Sequence, residues 1–210
     1  MIRRDALLLG VSALFALATP GLAQGRALTP EEEQLIRAIG EHNTAIRTMA
    51  GRFLQVDSNG GRTEGTFFLE RPDKVRFRYN PPSREEIVSV GRGFYVLNRQ
   101  ERTYYAYPQD SIPLRQFLGD QINFFNANIV GVSTADGYMT LTIVDETVAG
   151  TVQVALTFGT DSLDLVQWGL VEPNGTELTF SLYDVEKNVE IPRSFFYIDA
   201  TYTPVDPAQR

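Results

Sequence analysis

The feature that most constrains this chain is a series of short, aromatic-rich segments in which apolar and polar residues alternate. It runs from Gly65-Thr-Phe-Phe-Leu-Glu70 through Lys74-Val-Arg-Phe-Arg-Tyr79 to Gly93-Phe-Tyr-Val-Leu97 and Tyr104-Tyr-Ala-Tyr107. A period of two places alternate side chains on opposite faces of an extended strand. Val75, Phe77 and Tyr79 therefore share one face, and Arg76 and Arg78 the other. Repeated over many strands, this pattern makes an antiparallel sheet with one strongly apolar face, and that face needs a cover or a ligand.

Turn signals separate the segments. Asp57-Ser-Asn-Gly-Gly61, Gly91-Arg92-Gly93, Asp136-Gly137 and Asn174-Gly175 carry residues that tolerate positive φ. Pro72, Pro81 and Pro82 fall between strands, where a missing N–H costs no ladder bond. The expected strands are a first one opening at Phe53, then 62–70, 74–80, 84–90, 93–98, 102–107, 128–134, 138–146, 151–158, 163–171 and 176–186. A last ordered strand is expected at Phe195-Phe-Tyr-Ile198. These make one sheet of about ten or eleven strands, which at that size must curl or split.

Two helices interrupt the pattern. Thr29 as N-cap, Pro30 at the first helical position and Glu32 as the capping-box partner start the first. Leu35, Ile39, His42, Ile46 and Met49 recur at spacings of four and three, one apolar stripe of a long helix. The second is short and begins near Pro113, with Leu114, Phe117 and Leu118 on one face. The expected architecture is mainly β with helices (α+β): a single curled antiparallel sheet with helices across its open mouth, enclosing an apolar interior.

The first 23 residues read as an export signal. Arg3 and Arg4 precede an apolar stretch from Ala6 to Ala18, too short to span a bilayer, and Gly21-Leu-Ala23 offers a cleavage site. Export by the general secretory route or a twin-arginine route would place residues 24–210, one domain, in the periplasm. The chain has no cysteine, so no disulfide supports it there. A net charge of −7 without a basic run argues against nucleic acid as a partner.

The residues that chemistry needs are sparse. His42 is the only histidine, which excludes histidine-rich metal sites and two-histidine mechanisms. The adjacent Glu85 and Glu86 face opposite sides of a strand, and Asp161 and Asp164 fall in a turn. No phosphate-binding glycine loop is present, so neither an enzyme, a cofactor nor a metal is expected.

The run Glu70-Arg-Pro-Asp-Lys-Val-Arg-Phe77, with Pro81, Val88-Ser-Val90, Gly91-Arg-Gly-Phe-Tyr-Val96 and Pro113-Leu-Arg-Gln-Phe-Leu118, resembles the periplasmic outer-membrane lipoprotein carrier family, LolA. The order of elements is similar over nearly the whole chain, and the motif-level likeness lies within about 65–118. The resemblance implies an incomplete β-barrel with a helical lid. Such a protein receives the acyl chains of lipoproteins from an inner-membrane lipoprotein-releasing ABC transporter. It passes them to an outer-membrane lipoprotein acceptor and acts as a monomer. The acceptor has a similar fold but is itself a lipoprotein, so the missing cysteine favours the carrier. The resemblance also implies an acyl cavity lined by Ile46, Met49, Phe53, Val75, Phe77, Leu114 and Phe117, and assigns Arg71 the role of hydrogen-bonding the lid backbone to hold it closed. The alternative is a module of the same fold that senses lipids or lipoproteins without transporting them.

Overall fold

The computed structural model describes residues 27–109, 115–147 and 150–206; the expected export signal at residues 1–23 and Leu114 lie outside them. Helix α1 (Pro30–Ala45) is followed by strands β1 (Thr48–Asp57), β2 (Arg62–Glu70), β3 (Lys74–Tyr79), β4 (Glu85–Val90), β5 (Gly93–Asn98) and β6 (Thr103–Pro108). After the short helix α2 (Arg115–Leu118) come β7 (Asn128–Ala135), β8 (Tyr138–Thr147), β9 (Gly150–Gly159), β10 (Leu165–Val171), β11 (Glu177–Lys187) and β12 (Thr203–Pro204). All twelve strands form one sheet, in the order β12-β6-β5-β4-β3-β2-β1-β11-β10-β9-β8-β7. Its two edges do not meet, so the curl is an incomplete barrel. Every pairing is antiparallel except that of β12 on β6. That two-residue strand is not among the expected ones.

Helix α1 starts as its sequence dictates. The Thr29 hydroxyl accepts from the Glu32 N–H, and the Glu32 carboxylate accepts from the Thr29 N–H. It ends earlier than the apolar spacing suggested: Ala45 is its last residue, and Met49 belongs to β1. A stripe at spacings of three and four cannot show where an apolar residue passes from helix to strand, because both elements bury it. The helix buries Ile36, Ile39, Gly40 and Asn43. A Cβ on Gly40 would stand 2.8 Å from the Ile122 carbonyl oxygen, so only glycine allows the helix this close to the segment after α2. Asn43 donates to the Leu163 carbonyl oxygen at 2.7 Å, tying α1 to the β9–β10 turn.

The Phe195–Ile198 run also differs from expectation. Arg193–Phe196 is a 3₁₀ turn rather than a strand. The carbonyl oxygens of Phe195 and Tyr197 accept from the Arg76 guanidinium, at 2.7 and 3.2 Å, instead of from a neighbouring strand. Phe196 is buried, while Phe195 meets Phe68 edge-on. Arg76, on the polar face of β3, thus anchors the C-terminal segment against the outer side of the sheet.

The sheet bends at its centre. In the β1–β2 ladder Phe53 pairs with Gly65, and Gly51 with Phe67. Each ring lies over the glycine opposite: a Cβ on Gly65 would meet the Phe53 ring at 2.6 Å and also strike the Arg78 carbonyl oxygen, and one on Gly51 would meet the Phe67 ring at 2.9 Å. The β1–β11 register shifts between Ala50 and Arg52, and a bulge there adds twist. Substituting Gly65→Ala should therefore destabilise the fold by ~1–3 kcal/mol through overpacking. Urea unfolding followed by tryptophan fluorescence measures this, and Phe53→Leu in the same chain should recover part of the loss.

Candidate functional site

The apolar face of the sheet is not completely filled. Phe53, fully buried, is the hub of the packed layer: Phe77 and Tyr79 meet it edge-on at 5.2 and 5.0 Å, and Phe180 lies at 6.1 Å. Above this layer is a cavity of about 590 Å³. Protein interiors pack as densely as organic crystals, so a void of this size is no packing accident.

Both halves of the sheet build the walls. Met49, Phe67, Leu69, Val75, Phe77 and Ile87 come from β1 to β4, and Leu165, Trp168, Leu170, Leu178, Phe180 and Leu182 from β10 and β11. Trp168 stacks on Phe180 with ring centroids 3.9 Å apart. At one end Phe117 and Leu118 of α2 close the space, with the Leu118 carbonyl oxygen accepting from the Asp73 N–H at 3.0 Å. At the other end the lining turns polar: Gln55, Tyr79, Glu85, Glu172 and Asn174.

The sequence-derived candidates divide accordingly. Met49, Val75, Phe77 and Phe117 line the cavity. Ile46 and Phe53 are buried but stand outside its wall, packed in the layer around it. Val75 sits at the α2 end of β3, two residues from Asp73 and far from the polar mouth. The walls from β10 and β11 were missed, because only the curl carries those strands opposite β2 and β3. Their signal was the alternation of Trp168 with Leu170 and of Leu178, Phe180 and Leu182.

Arg71 lies beneath α2 and is 4% exposed. Its Nε donates to the Phe117 carbonyl oxygen at 3.1 Å, and one terminal nitrogen donates to the Ile46 carbonyl oxygen at 2.6 Å. The Phe117 ring covers the guanidinium at 4.5 Å. The other terminal nitrogen is buried without a partner. Burial, and then the nearby Arg47 charge, lowers the pKa of Arg71 to about 10. A buried cation held only by carbonyl oxygens and a ring is costly to keep. From the other half of the sheet, Asp145 of β8 accepts from Arg115 of α2 at 2.7 Å. The short helix is therefore fastened on both sides.

His42 and the Asp161/Asp164 pair were the other titratable candidates. His42 Nε2 lies 2.7 Å from Asp164 Oδ1, and Lys187 Nζ lies 2.9 Å from both Asp164 oxygens. The cluster joins α1, the β9–β10 turn and β11. Partial burial alone would raise the Asp164 pKa, but hydrogen bonds from Lys187 and His42 outweigh it and hold the carboxyl below its usual value. The cluster should contribute in full above about pH 4, the ordinary aspartate value, and be lost as pH falls through the lowered one. Amide exchange of α1 should accelerate over that acidic range, and Asp164→Asn should remove the pH-dependent part.

The sequence profile of the family described as outer membrane lipoprotein carrier protein LolA matches residues 44–199. Among curated proteins, none matches this sequence. Several solved structures are similar to it. A DUF1329 family protein from Desulfovibrio piger is 9% identical, with 78% of this chain and 95% of that one covered, at a TM-score of 0.50. A LolA superfamily protein from Nitrosomonas europaea is 10% identical, with 77% and 97% covered, at 0.43. In the MucA/MucB complex of Pseudomonas aeruginosa the matching chain is 12% identical, with 80% of this chain and 61% of that one covered, at 0.42.

Proposed function

Since this chain belongs to the outer membrane lipoprotein carrier protein LolA family, we propose that it is a periplasmic carrier that shields the acyl chains of lipoproteins in transit between membranes. The observation that carries the reading is the apolar cavity under a short, doubly fastened helix. Each methylene removed from water is worth roughly 0.8 kcal/mol, so a free acyl chain in an aqueous compartment needs such a shelter. In this reading an inner-membrane lipoprotein-releasing ABC transporter supplies the cargo and an outer-membrane lipoprotein acceptor receives it. The carrier works as a monomer and performs no chemistry.

Arg71 is the latch of this mechanism. A net hydrogen bond is worth about 1 kcal/mol, or somewhat more with a charged donor. The bond to Phe117, opposed by the burial of a guanidinium with one nitrogen unsatisfied, makes α2 closed yet easy to lift. Acyl chains enter as α2 moves away from the wall formed by Met49, Leu69 and Val75. Leu114, from the stretch just before α2, belongs to the same proposed lining.

Native mass spectrometry of the protein, purified from cells that co-express an acylated lipoprotein, should show a one-to-one complex. An absence of bound lipoprotein with cargo in excess would overturn the carrier reading. Arg71→Leu should loosen α2, seen as faster exchange of its amides, and slow handover to the acceptor about tenfold, equivalent to about 1.4 kcal/mol. Transfer at the wild-type rate would remove Arg71 from this role.

A further inference from the structure

The lining of the cavity is charged in one sense only. Among the described residues, Glu85 and Glu172 are the charged groups that reach it, and no lysine, arginine or histidine does. Both stand at the end away from α2. Glu85 opens β4, next to the Arg78–Glu86 pair that ends the β3–β4 ladder. Glu172 follows the last residue of β10; its N–H donates to the Thr176 carbonyl oxygen across the turn, and Asn174 stands against its carboxylate.

Neither glutamate has an ion-pair partner among the described residues. The cations nearest in the sheet are engaged elsewhere. Arg76, Arg78 and Arg99 converge on Glu86, which is 2% exposed and faces the opposite side of β4 from Glu85. The charge on Glu85 is felt inside the mouth: burial first, and then Glu85, raises the pKa of Tyr79, whose hydroxyl donates to Gln55. The lip of an apolar cavity thus presents two carboxylates with no ion-pair partner among the described residues. Gln55 and Asn174 beside them are neutral amides.

We propose that Glu85 and Glu172 select the head group of the cavity's ligand. Acyl chains on neutral or cationic, hydrogen-bond-donating heads, such as an amide or an ammonium, are admitted; those on carboxylate or phosphate heads are refused. This rests on the carrier reading and gives it a substrate class: amide-linked acyl chains rather than free fatty acids or anionic phospholipids. The physical basis is repulsion. An apolar tail gains the same burial whatever its head, so discrimination comes from the like charge that a wrong head must bring beside two carboxylates at the mouth, one exposed and one half-buried.

Trp168 is the only tryptophan in the chain and lines the cavity, so its fluorescence reports occupancy directly. Dodecanamide, dodecylamine and dodecanoate share one tail length and differ in the head. At neutral pH and low salt, the amide and the amine should bind at least about tenfold more tightly than the carboxylate, the measure of about 1.4 kcal/mol. The double substitution Glu85→Gln with Glu172→Gln, both at the rim where folding is not at stake, should bring dodecanoate to within about twofold of the amide. Equal binding of the amide and the carboxylate by the native protein, or an unchanged ratio in the double variant, would overturn the proposal and leave the carrier reading intact. If none of the three ligands changes the Trp168 signal or binds by calorimetry, the carrier reading fails with it.

Discussion

The structure depends on how one very long sheet is made to bend. A twisted sheet of twelve strands cannot stay flat, and its apolar face must be hidden from water. The bend is built into β1, the strand that joins the two halves. In its ladder with β2, Gly65 of β2 receives the ring of Phe53 and Gly51 of β1 receives that of Phe67, and the register with β11 slips at Gly51. A side chain at either glycine would push a ring away and open the curve. Because the bend holds, β10 and β11 face β2 and β3 across a gap instead of lying beside them in one plane.

What fills that gap differs from end to end. Near β1 the rings of Phe77 and Tyr79 meet Phe53 edge to face, a favourable arrangement of aromatic quadrupoles, and Phe180 lies tilted against Phe53 and Phe77. Farther out the walls separate and leave the cavity. α2 closes one end through contacts to both halves of the sheet, and one of these comes from a guanidinium with a nitrogen left unsatisfied. Leaving a buried donor unpaired is a cost that a purely structural joint would avoid. In the proposed carrier it would lower the free energy needed to lift the helix.

Much of the architecture was legible in local patterns. The capping box of α1, the glycine-rich turns and the alternation of Val75, Phe77 and Tyr79 against Arg76 and Arg78 each depend on neighbouring residues alone, and each appears as expected. The misplacements came where one apolar signal fits two elements. Met49 continued a helical stripe but lies in a strand, and Phe195–Ile198 looked like a buried strand but forms a turn whose carbonyl oxygens Arg76 claims. Among the cavity candidates, Phe53 and Ile46 share the pattern of Phe77 and Met49 and are equally buried. Periodicity reports burial, and it cannot tell a residue against a neighbour from one against a void.

The sequence by itself determined that this chain is a mainly antiparallel sheet with one greasy face, an N-terminal helix, and little equipment for chemistry. Those properties are set by side-chain alternation, caps and composition, all short-range. Only the tertiary structure decided that Trp168 and Phe180 stand opposite Phe67 and Leu69, that Arg71 reaches the backbone of α2, and that the open end of the cavity carries, among the described residues, two carboxylates and no cation. The reason is distance along the chain. About a hundred residues separate the two walls, and only the bend at β1 brings them together.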